Sequence, residues 1–297
     1  MKRIIQNRAK SIRAKLLNIK NSTGHEYMYL LSRYFNERLL YRLSVSKYRN
    51  NFVLKGGAML YALDGLDARP TVDVDFMANK ISRDANNLEN VFREILSISC
   101  ELDAVIFDTV NLHSEPITID NEYPGIRIFV MGKMDTIEHN LTIDIGFGDV
   151  VTPHTQTMDF PLLLPDNPAI TLNTYSIETV LAEKFHTMIE RDVANSRMKD
   201  FFDCYMILKS NIIIDPSILQ MAVYATFDNR GLRYNKNLQL FSPSFSSDKM
   251  RLIRWRTFLK KIKWHKELSF EEVMSVIQES LYPIYDYYWK RMESDDK

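Results

Sequence analysis

Cysteine and long apolar runs are both scarce in this chain. Only Cys100 and Cys204 occur among 297 residues, which argues against a disulfide framework and against a structural zinc site. No apolar run approaches the roughly 20 residues that a membrane-spanning helix needs. We therefore expect a soluble cytoplasmic protein that makes no contact with membranes, with both cysteines as buried free thiols.

An excess of charge of one sign is also missing. The 38 Lys and Arg residues balance the 38 Asp and Glu residues, so any affinity for nucleic acid must come from a local patch. Two common nucleotide-binding patterns are absent as well. Neither Gly-x-x-x-x-Gly-Lys-Ser/Thr nor Gly-x-Gly-x-x-Gly occurs, which disfavours a P-loop NTPase and a dinucleotide-binding domain.

The order of apolar patterns predicts a mixed α/β sheet with flanking helices, followed by a mostly helical C-terminal part. A stretch with four prolines, residues 153–168, is predicted to be a connection over the surface. We place the domain boundary there, giving domains 1–155 and 156–297. In the first domain the patterns predict helices at 2–20, 25–48, 56–65 and 82–99, the last capped by Ser82, and strands at 52–54, 72–77, 104–107, 126–131 and 141–145. In the second they predict helices at 176–192, 196–209, 216–227, 248–266 and 270–292.

Two carboxylates two residues apart, Asp73 and Asp75, alternate with apolar residues in the second predicted strand. Residues at this spacing point to one face of a strand. The repulsion between two such charges is relieved by a divalent cation, and magnesium prefers hard oxygen ligands. The pair is therefore either a magnesium site or the exposed polar face of an edge strand.

A Gly-Gly turn follows the first predicted strand. Gly56 and Gly57 would let backbone N–H groups approach a phosphate at the start of a helix, although an ordinary strand-to-helix turn fits them equally well. Lys55, the preceding residue, could reach a phosphate or be solvated.

A third carboxylate, Asp144, stands between two isoleucines in a later strand. An acid in this position is costly to bury unless it is paired or bound to metal. It could close a metal site with Asp73 and Asp75 and act as a general base, or it could face solvent.

Further charged residues lie on two consecutive predicted helices. Lys184 and Arg191 are two turns apart, and Asp200 and Asp203 are one turn apart. Cations aimed at a triphosphate would stabilise a transferring phosphoryl group, while salt-bridged surface helices are the alternative. The neighbouring His186 is predicted to be structural.

A basic stretch, residues 251–266, carries Trp255 and Trp264 among its cations. Its predicted apolar stripe consists of Leu252, Trp255, Leu259 and Ile262. This stripe leaves four cations outside: Arg251, Arg254, Lys261 and Lys263. Such a helix could follow an RNA backbone or present a solvated face.

Three segments together resemble the AbiEii-type nucleotidyltransferase toxins (AbiEii/AbiGii) of bacterial abortive-infection and type IV toxin–antitoxin systems. The order and spacing of these residues agree across roughly residues 8–210. The matching positions are Lys55-Gly56-Gly57, Arg69-x-Thr71-x-Asp73-x-Asp75, Thr-Ile-Asp144-Ile-Gly, and Leu181-Ala-Glu-Lys184 with Arg191, Arg197, Lys199-Asp200 and Asp203.

The resemblance implies a nucleotidyltransferase fold that uses Mg²⁺ and an NTP. By position, Asp73, Asp75 and Asp144 would bind the metal, and the triphosphate would be held by Lys55, Gly56, Gly57, Thr71, Lys184 and Arg191. Asp200 and Asp203 match the acid of the last motif. Many members of the superfamily have Gly-Ser where this chain has Gly56-Gly57, so backbone amides alone would grip the phosphate at this position.

The implied reaction is attack by an acceptor hydroxyl of RNA (tRNA) or protein on the α-phosphate, with pyrophosphate leaving. The resemblance also implies a separately encoded antitoxin partner. Two alternatives stay open at this point: kinase-like phosphoryl transfer from the same site, and a nucleotide- or RNA-binding protein without turnover.

Overall fold

A mixed β-sheet organises the first part of the chain. The computed structural model describes residues 7–64, 69–71, 73–117, 125–235 and 237–295. Within these residues eight strands form one sheet, in the order β3-β5-β6-β2-β1-β8-β7, and β4 pairs with β5. The strands are β1 Phe52–Lys55, β2 Val74–Ala78, β3 Ile106–Phe107, β4 His113–Ile117, β5 Gly125–Met134, β6 Ile137–Phe147, β7 Gln156–Asp159 and β8 Thr171–Thr174.

The four central strands share one register that separates their two faces. Leu54, Phe76, Ile145 and Ile126 are register partners across β1, β2, β6 and β5, and each is buried or nearly so. Since side chains alternate along a strand, the residues of the adjacent register row lie on the opposite face. All four residues of that row are charged.

Helices cover the apolar face of the sheet. They are α1 Arg8–Thr23, α2 Tyr27–Val45, α3 Gly56–Asp64 and α4 Ala85–Leu96. Phe52 contacts both Phe76 and Phe92, so α4 packs on this face, and Phe35 of α2 stacks on His139 of β6.

Helix α2 is buried along most of its length, including several charges. Arg42 donates two hydrogen bonds to the carboxylate of Asp103. Glu37 accepts the backbone N–H of Leu163. These partners offset the cost of placing charge in the core.

The C-terminal part is helical. Its helices are α5 Ile177–Arg191, α6 Met198–Lys209, α7 Pro216–Asn229, α8 Pro243–Ser246, α9 Lys249–Lys261 and α10 Phe270–Asp295. The chain divides into two compact units, one of Met1–Asp149 with Thr155–Tyr175 and the other of Val150–His154 with Ser176–Lys297. The predicted boundary at residue 155 stays a prediction.

The predicted fold class, a mixed α/β sheet followed by a mostly helical part, is confirmed. Several element predictions were wrong in detail. The stretch 153–168 contains β7, and β4, β8 and α8 were not predicted. The fourth helix begins after Asp84, whose side chain accepts the N–H of Asn87, and not at Ser82. Residues 2–6, 65 and 72 of the predicted elements lie outside the described residues.

Both cysteines are free thiols, but only Cys204 is buried, while Cys100 is partly exposed. No helix among the described residues is long and apolar enough to cross a membrane.

Candidate active site

A row of four charged residues crosses the polar face of the central sheet. Lys55, Asp75, Asp144 and Arg127 are register partners on β1, β2, β6 and β5. Two carboxylates therefore lie side by side, with a cation on either flank. The sequence predicted Lys55, Asp75 and Asp144 as site residues, and the structure places these three in one row.

Arg127 holds Asp144 through two parallel hydrogen bonds. Its Nε and Nη2 atoms lie 2.7 Å from Oδ1 and Oδ2 of Asp144. This fork geometry is the strong form of an arginine–carboxylate pair. The hydrogen bonding of Arg127 to Asp144 is the largest factor that raises the pKa of Arg127, and the charges of Asp73 and Asp75 raise it further. Arg127 thus lies within the field of all three predicted metal-binding acids.

Lys55 is held on the other flank of the row. Its Nζ atom lies 2.5 Å from Oδ2 of Asp149, and the hydroxyl of Tyr175 donates to the same oxygen at 3.1 Å. The Lys55 ammonium also lies 5.3 Å from the centre of the Tyr175 ring. Asp149 and Tyr175 therefore fix a lysine that would otherwise have four freely rotating bonds.

Gly56 and Gly57 are packed too closely for any side chain. Gly56 has φ +65°, and a Cβ atom there would lie 2.1 Å from Oδ2 of Asp75. A Cβ atom at Gly57 would lie 2.7 Å from Oγ1 of Thr71. The turn at the start of α3 is consequently in direct contact with one predicted metal ligand and with the predicted nucleotide-binding threonine.

The donor chemistry at this face suits magnesium. Asp75 supplies hard carboxylate oxygens beside the N-terminus of α3, and Asp73 directly precedes β2, outside the strand in which it was predicted. Magnesium needs only one or two carboxylates when substrate phosphates complete its shell. Within the described ranges, no three or more His, Cys, Asp or Glu side chains are grouped so that they could hold a metal ion. Asp144 points both oxygens at Arg127, so the metal triad of Asp73, Asp75 and Asp144 stays a prediction.

The second unit carries its own charged cluster. Lys184 on α5 lies 3.0 Å from Oδ1 of Asp200 and 2.7 Å from Oδ2 of Asp203, and Arg197 donates to the second oxygen of Asp200 at 2.6 Å. Burial alone would raise the pKa of Asp200, but Lys184 and Arg197 together hold it well below its usual range. Of the two interpretations offered by the sequence, the salt-bridged one describes these contacts, but the carboxylates are buried and not on the surface.

Two further residues of this unit have clear surroundings. Burial raises the pKa of Cys204 far above its usual range, so this thiol is neutral and inert. His186 is buried and, within the described chain, neither ring nitrogen has a hydrogen-bond partner. That setting agrees with its predicted structural role.

Arg191 ends α5, two turns after Lys184, and its predicted phosphate contact is untested.

The basic stretch differs from its prediction at Arg251. This residue is buried, and its guanidinium donates to the carbonyl oxygens of Phe245, Asn195 and Val193. It was wrongly predicted to lie outside, because backbone carbonyls can satisfy a buried guanidinium as well as water does. Trp255 of the predicted apolar stripe is buried, with its indole N–H donating to the carbonyl of Leu268.

Sequence reasoning missed Arg127, Asp149 and Tyr175. Arg127 alternates with Ile126 and Ile128 in a strand predicted for apolar residues, and pairing that strand with the strand of Asp144 would have revealed it. No local signal marks Asp149 or Tyr175, since their contact with Lys55 depends on tertiary structure alone.

The charged row, the glycine turn and the mixed sheet define a protein of the nucleotidyltransferase class. The model of the family described as nucleotidyl transferase AbiEii toxin, type IV toxin–antitoxin system, matches residues 38–276. The chain therefore belongs to the AbiEii nucleotidyltransferase toxin family, and the predicted family is confirmed. Membership in a type IV toxin–antitoxin family implies a cognate antitoxin.

Two solved structures are similar to this chain. The crystal structure of a proposed nucleotidyltransferase from H. pylori has a TM-score of 0.50 and 16% identity, covering 90% of this chain and 98% of that chain. The crystal structure of JHP933 from Helicobacter pylori has a TM-score of 0.49 and 14% identity, covering 91% and 97%. None of the curated proteins compared with this chain matches it.

Proposed function

We propose that this protein transfers a nucleoside monophosphate from an NTP to a hydroxyl group of RNA or protein, in a magnesium-dependent reaction, and thereby acts as a toxin. The observation that carries the proposal is the row of Lys55, Asp75, Asp144 and Arg127 beside the Gly56-Gly57 turn. Two carboxylates stand at the centre of this row with a cation on either side, which suits a metal–triphosphate complex.

Asp73 and Asp75 would hold the magnesium ion, with Asp144 as the third carboxylate. When bound, the ion supplies charge stabilisation to the attacking and leaving oxygens. Arg127 is 40% exposed, so its guanidinium can exchange the oxygens of Asp144 for those of a phosphate, which it grips in the same fork geometry. Asp144 is then available to the metal.

Lys55 and the glycine turn would hold the triphosphate. The backbone of Gly56 and Gly57 leaves room for close approach at the start of α3, where the helix dipole favours anions. Lys55 would turn from Asp149 toward a phosphate oxygen, and Thr71, in contact with Gly57, would donate its hydroxyl. Lys184 and Arg191 are proposed as further phosphate contacts, with Asp200 and Asp203 as the acids that position Lys184.

In the proposed reaction the acceptor oxygen forms a bond to the α-phosphorus, and the bond from that phosphorus to the β-phosphate oxygen breaks. Pyrophosphate takes the electron pair of the broken bond. The hydroxyl proton leaves through a carboxylate of the row or through water. The acceptor ends as a phosphodiester.

The test is transfer of label from each α-³²P NTP, with magnesium, to total bacterial RNA and protein. We expect labelled RNA or protein with the natural chain and none with Asp75→Asn. Asp135→Asn is the matched control, because Asp135 is an exposed turn residue of the same unit with φ +55°, which asparagine tolerates. Equal labelling by both variants would refute the catalytic role of Asp75.

Product analysis separates the alternatives. Release of pyrophosphate supports nucleotidyl transfer, whereas release of an NDP supports kinase-like phosphoryl transfer from the same site. If Asp73→Ala and Asp75→Ala keep the full cellular toxicity, the protein acts by binding nucleotide or RNA without turnover.

A further inference from the structure

One face of α9 concentrates positive charge, although the formal net charge of the whole chain is zero. Residues 249–266 hold eight Lys and Arg residues and no acid. The rest of the chain carries 30 Lys and Arg against 38 Asp and Glu. A polyanion is therefore attracted to this segment and repelled by the average of the remaining surface.

The exposed cations of α9 follow the helical repeat. Lys249, Arg256 and Lys260 fall within an arc of about 40° at 3.6 residues per turn, forming a stripe about 16 Å long. Arg254 and Lys261 lie about 120–140° around the helix from this stripe, and all five side chains are exposed. We call Lys249, Arg256 and Lys260 the α9 basic face. The opposite side of the helix, with Arg251 and Trp255, is buried in its own unit.

These five cations are not used to hold the fold together. In the part of the chain that the structure describes, none of them forms an ion pair with an acid. The other basic helix, α1, behaves differently, since Arg13 pairs with Asp135 and Lys15 pairs with Asp166. The three cations of the α9 basic face repel one another, and that repulsion is relieved by a bound polyanion.

We propose that the α9 basic face binds the phosphate backbone of RNA. The choice of RNA rests on the proposed function, for which RNA is a candidate acceptor. Lysine is depleted in protein–protein interfaces, yet two of the three residues of the α9 basic face are lysines. A membrane-surface helix would need an apolar face with aromatic residues for the lipid, whereas Trp255 of α9 is buried inside the unit, against Phe202 and Phe270.

The same packing predicts how the RNA is bound. Trp255, the tryptophan of α9, is buried against Phe202, so its ring is not available for stacking with a base. Binding through α9 therefore relies on phosphate contacts, which give strong salt dependence and little sequence preference.

The test is fluorescence anisotropy of a fluorescein-labelled RNA hairpin with the intact chain, over a series of KCl concentrations and without NTP. Lys249→Gln/Arg256→Gln/Lys260→Gln should bind about tenfold more weakly at about 0.1 M KCl, with a salt slope shallower by about 2. The control Lys20→Gln/Lys209→Gln/Arg233→Gln removes three exposed cations from other elements and should lose less than about twofold. Circular dichroism and melting temperature verify that both variants fold.

Equal losses in the two triple variants, or an unchanged affinity in the α9 variant, would overturn the proposal. So would a loss of binding to phosphatidylserine vesicles without a loss on RNA, which would assign the face to a membrane surface. A second variant, Arg254→Gln/Lys261→Gln, removes the two exposed cations that lie about 120–140° around α9 from the basic face, and it should weaken RNA binding less than the α9 triple variant does. Because Asp75→Asn should still bind RNA, a failure of label transfer and a failure of the α9 face give different results.

Discussion

Asp75 and Asp144 are register partners on the parallel strands β2 and β6, so their carboxylates stand side by side on one face of the sheet. The two acids are held differently. Arg127 occupies both oxygens of Asp144, while the carboxylate of Asp75 lies against the backbone of Gly56. Asp75 is therefore the acid of the row whose surroundings place it beside the proposed phosphate-binding turn.

The pair of Arg127 and Asp144 should stabilise the first unit measurably. Arg127→Leu and Asp144→Leu should each lower the free energy of unfolding by about 1–3 kcal/mol, because each leaves a charged partner without its two hydrogen bonds. A double-mutant cycle in urea should give a coupling energy above about 1 kcal/mol. Arg127→Lys should not restore it, since an ammonium cannot form the fork.

Lys133→Leu is the control for that cycle. Lys133 lies on the same strand with a similar exposure, but its partners Asp108 and Glu138 are 3.5 and 3.4 Å away on the surface. Its loss should cost less than about 1 kcal/mol. A cycle for Arg127 and Asp144 that gives no more than this control would mean that the pair is not a structural clamp.

Substitution of Gly56 by alanine should abolish nucleotide binding as well as activity. The new methyl group would meet the carboxylate of Asp75 and would also be strained at φ +65°. Gly24→Ala is a matched control, because Gly24 has φ +76° but nothing lies within 4 Å of a Cβ atom there. Both variants bear the left-handed strain of about 1–2 kcal/mol, and only Gly56→Ala displaces Asp75.

The comparison uses equilibrium binding of a nonhydrolysable ATP or GTP analogue together with melting temperature. We expect Gly24→Ala to bind the analogue as the natural chain does, at a slightly lower melting temperature. If Gly56→Ala binds as well as Gly24→Ala does, the turn at the start of α3 does not hold the triphosphate.

Lys184 should be essential for the stability of the second unit, whatever its role toward phosphate. Lys184→Met leaves Asp200 and Asp203 buried without their shared cation and should cost about 3–5 kcal/mol. Lys290→Met removes a lysine paired on the surface with Asp286 and should leave the melting temperature nearly unchanged.

A triple variant separates the two roles of Lys184. Lys184→Met/Asp200→Asn/Asp203→Asn removes the charges together and should regain most of the lost stability. If Lys184 also contacts phosphate, label transfer stays low in this variant although it folds. Recovery of both stability and label transfer would show that Lys184 has only a structural role.

The parts of the fold with strong local signals were predictable from the sequence. The long amphipathic helices and the strands of Asp75 and Asp144 were found because period and turn residues agree there. Strands β7 and β8 were missed, because each has only four residues and the first lies in a proline-rich stretch. A pairing partner, and not the local pattern, makes such short segments into strands.

The candidate site shows the same limit. Spacing alone predicted four residues of the candidate site: Asp73, Asp75, Gly56 and Gly57. The partners Asp149 and Tyr175 could not be predicted in this way, since they lie 94 and 120 positions after Lys55 in the sequence. The burial of Arg251 likewise depends on three backbone carbonyls, and no local sequence pattern indicates this contact. The folded topology determines which charged residues become partners. A single sequence therefore predicts candidate site acids more readily than the cations that pair with them.

His186 should make the second unit less stable as the pH falls. Burial, with a smaller effect of the nearby Arg230, lowers the pKa of His186 from 6.5 to about 4. Below pH 6.5 His186 binds a proton in the unfolded chain but not in the folded chain. The free energy of unfolding therefore declines progressively between pH 6.5 and pH 4. For one group, this amounts to about 2 kcal/mol between pH 7 and pH 5.

The measurement is urea unfolding of the natural chain and of His186→Gln at several pH values from 7 to 5. Glu37 works in the opposite direction, because burial raises its pKa to about 7 and its contribution to stability is lost as the pH rises through that value. Subtracting the two pH profiles removes Glu37, which both chains share. As the pH falls, the free energy of unfolding of the natural chain should decrease relative to that of His186→Gln. The reason is that Glu190 lies 3.9 Å from His186 and is largely exposed, so it is too far away and too well solvated to stabilise an imidazolium. A difference that stays flat across this range would mean that His186 accepts a proton in the folded chain without penalty.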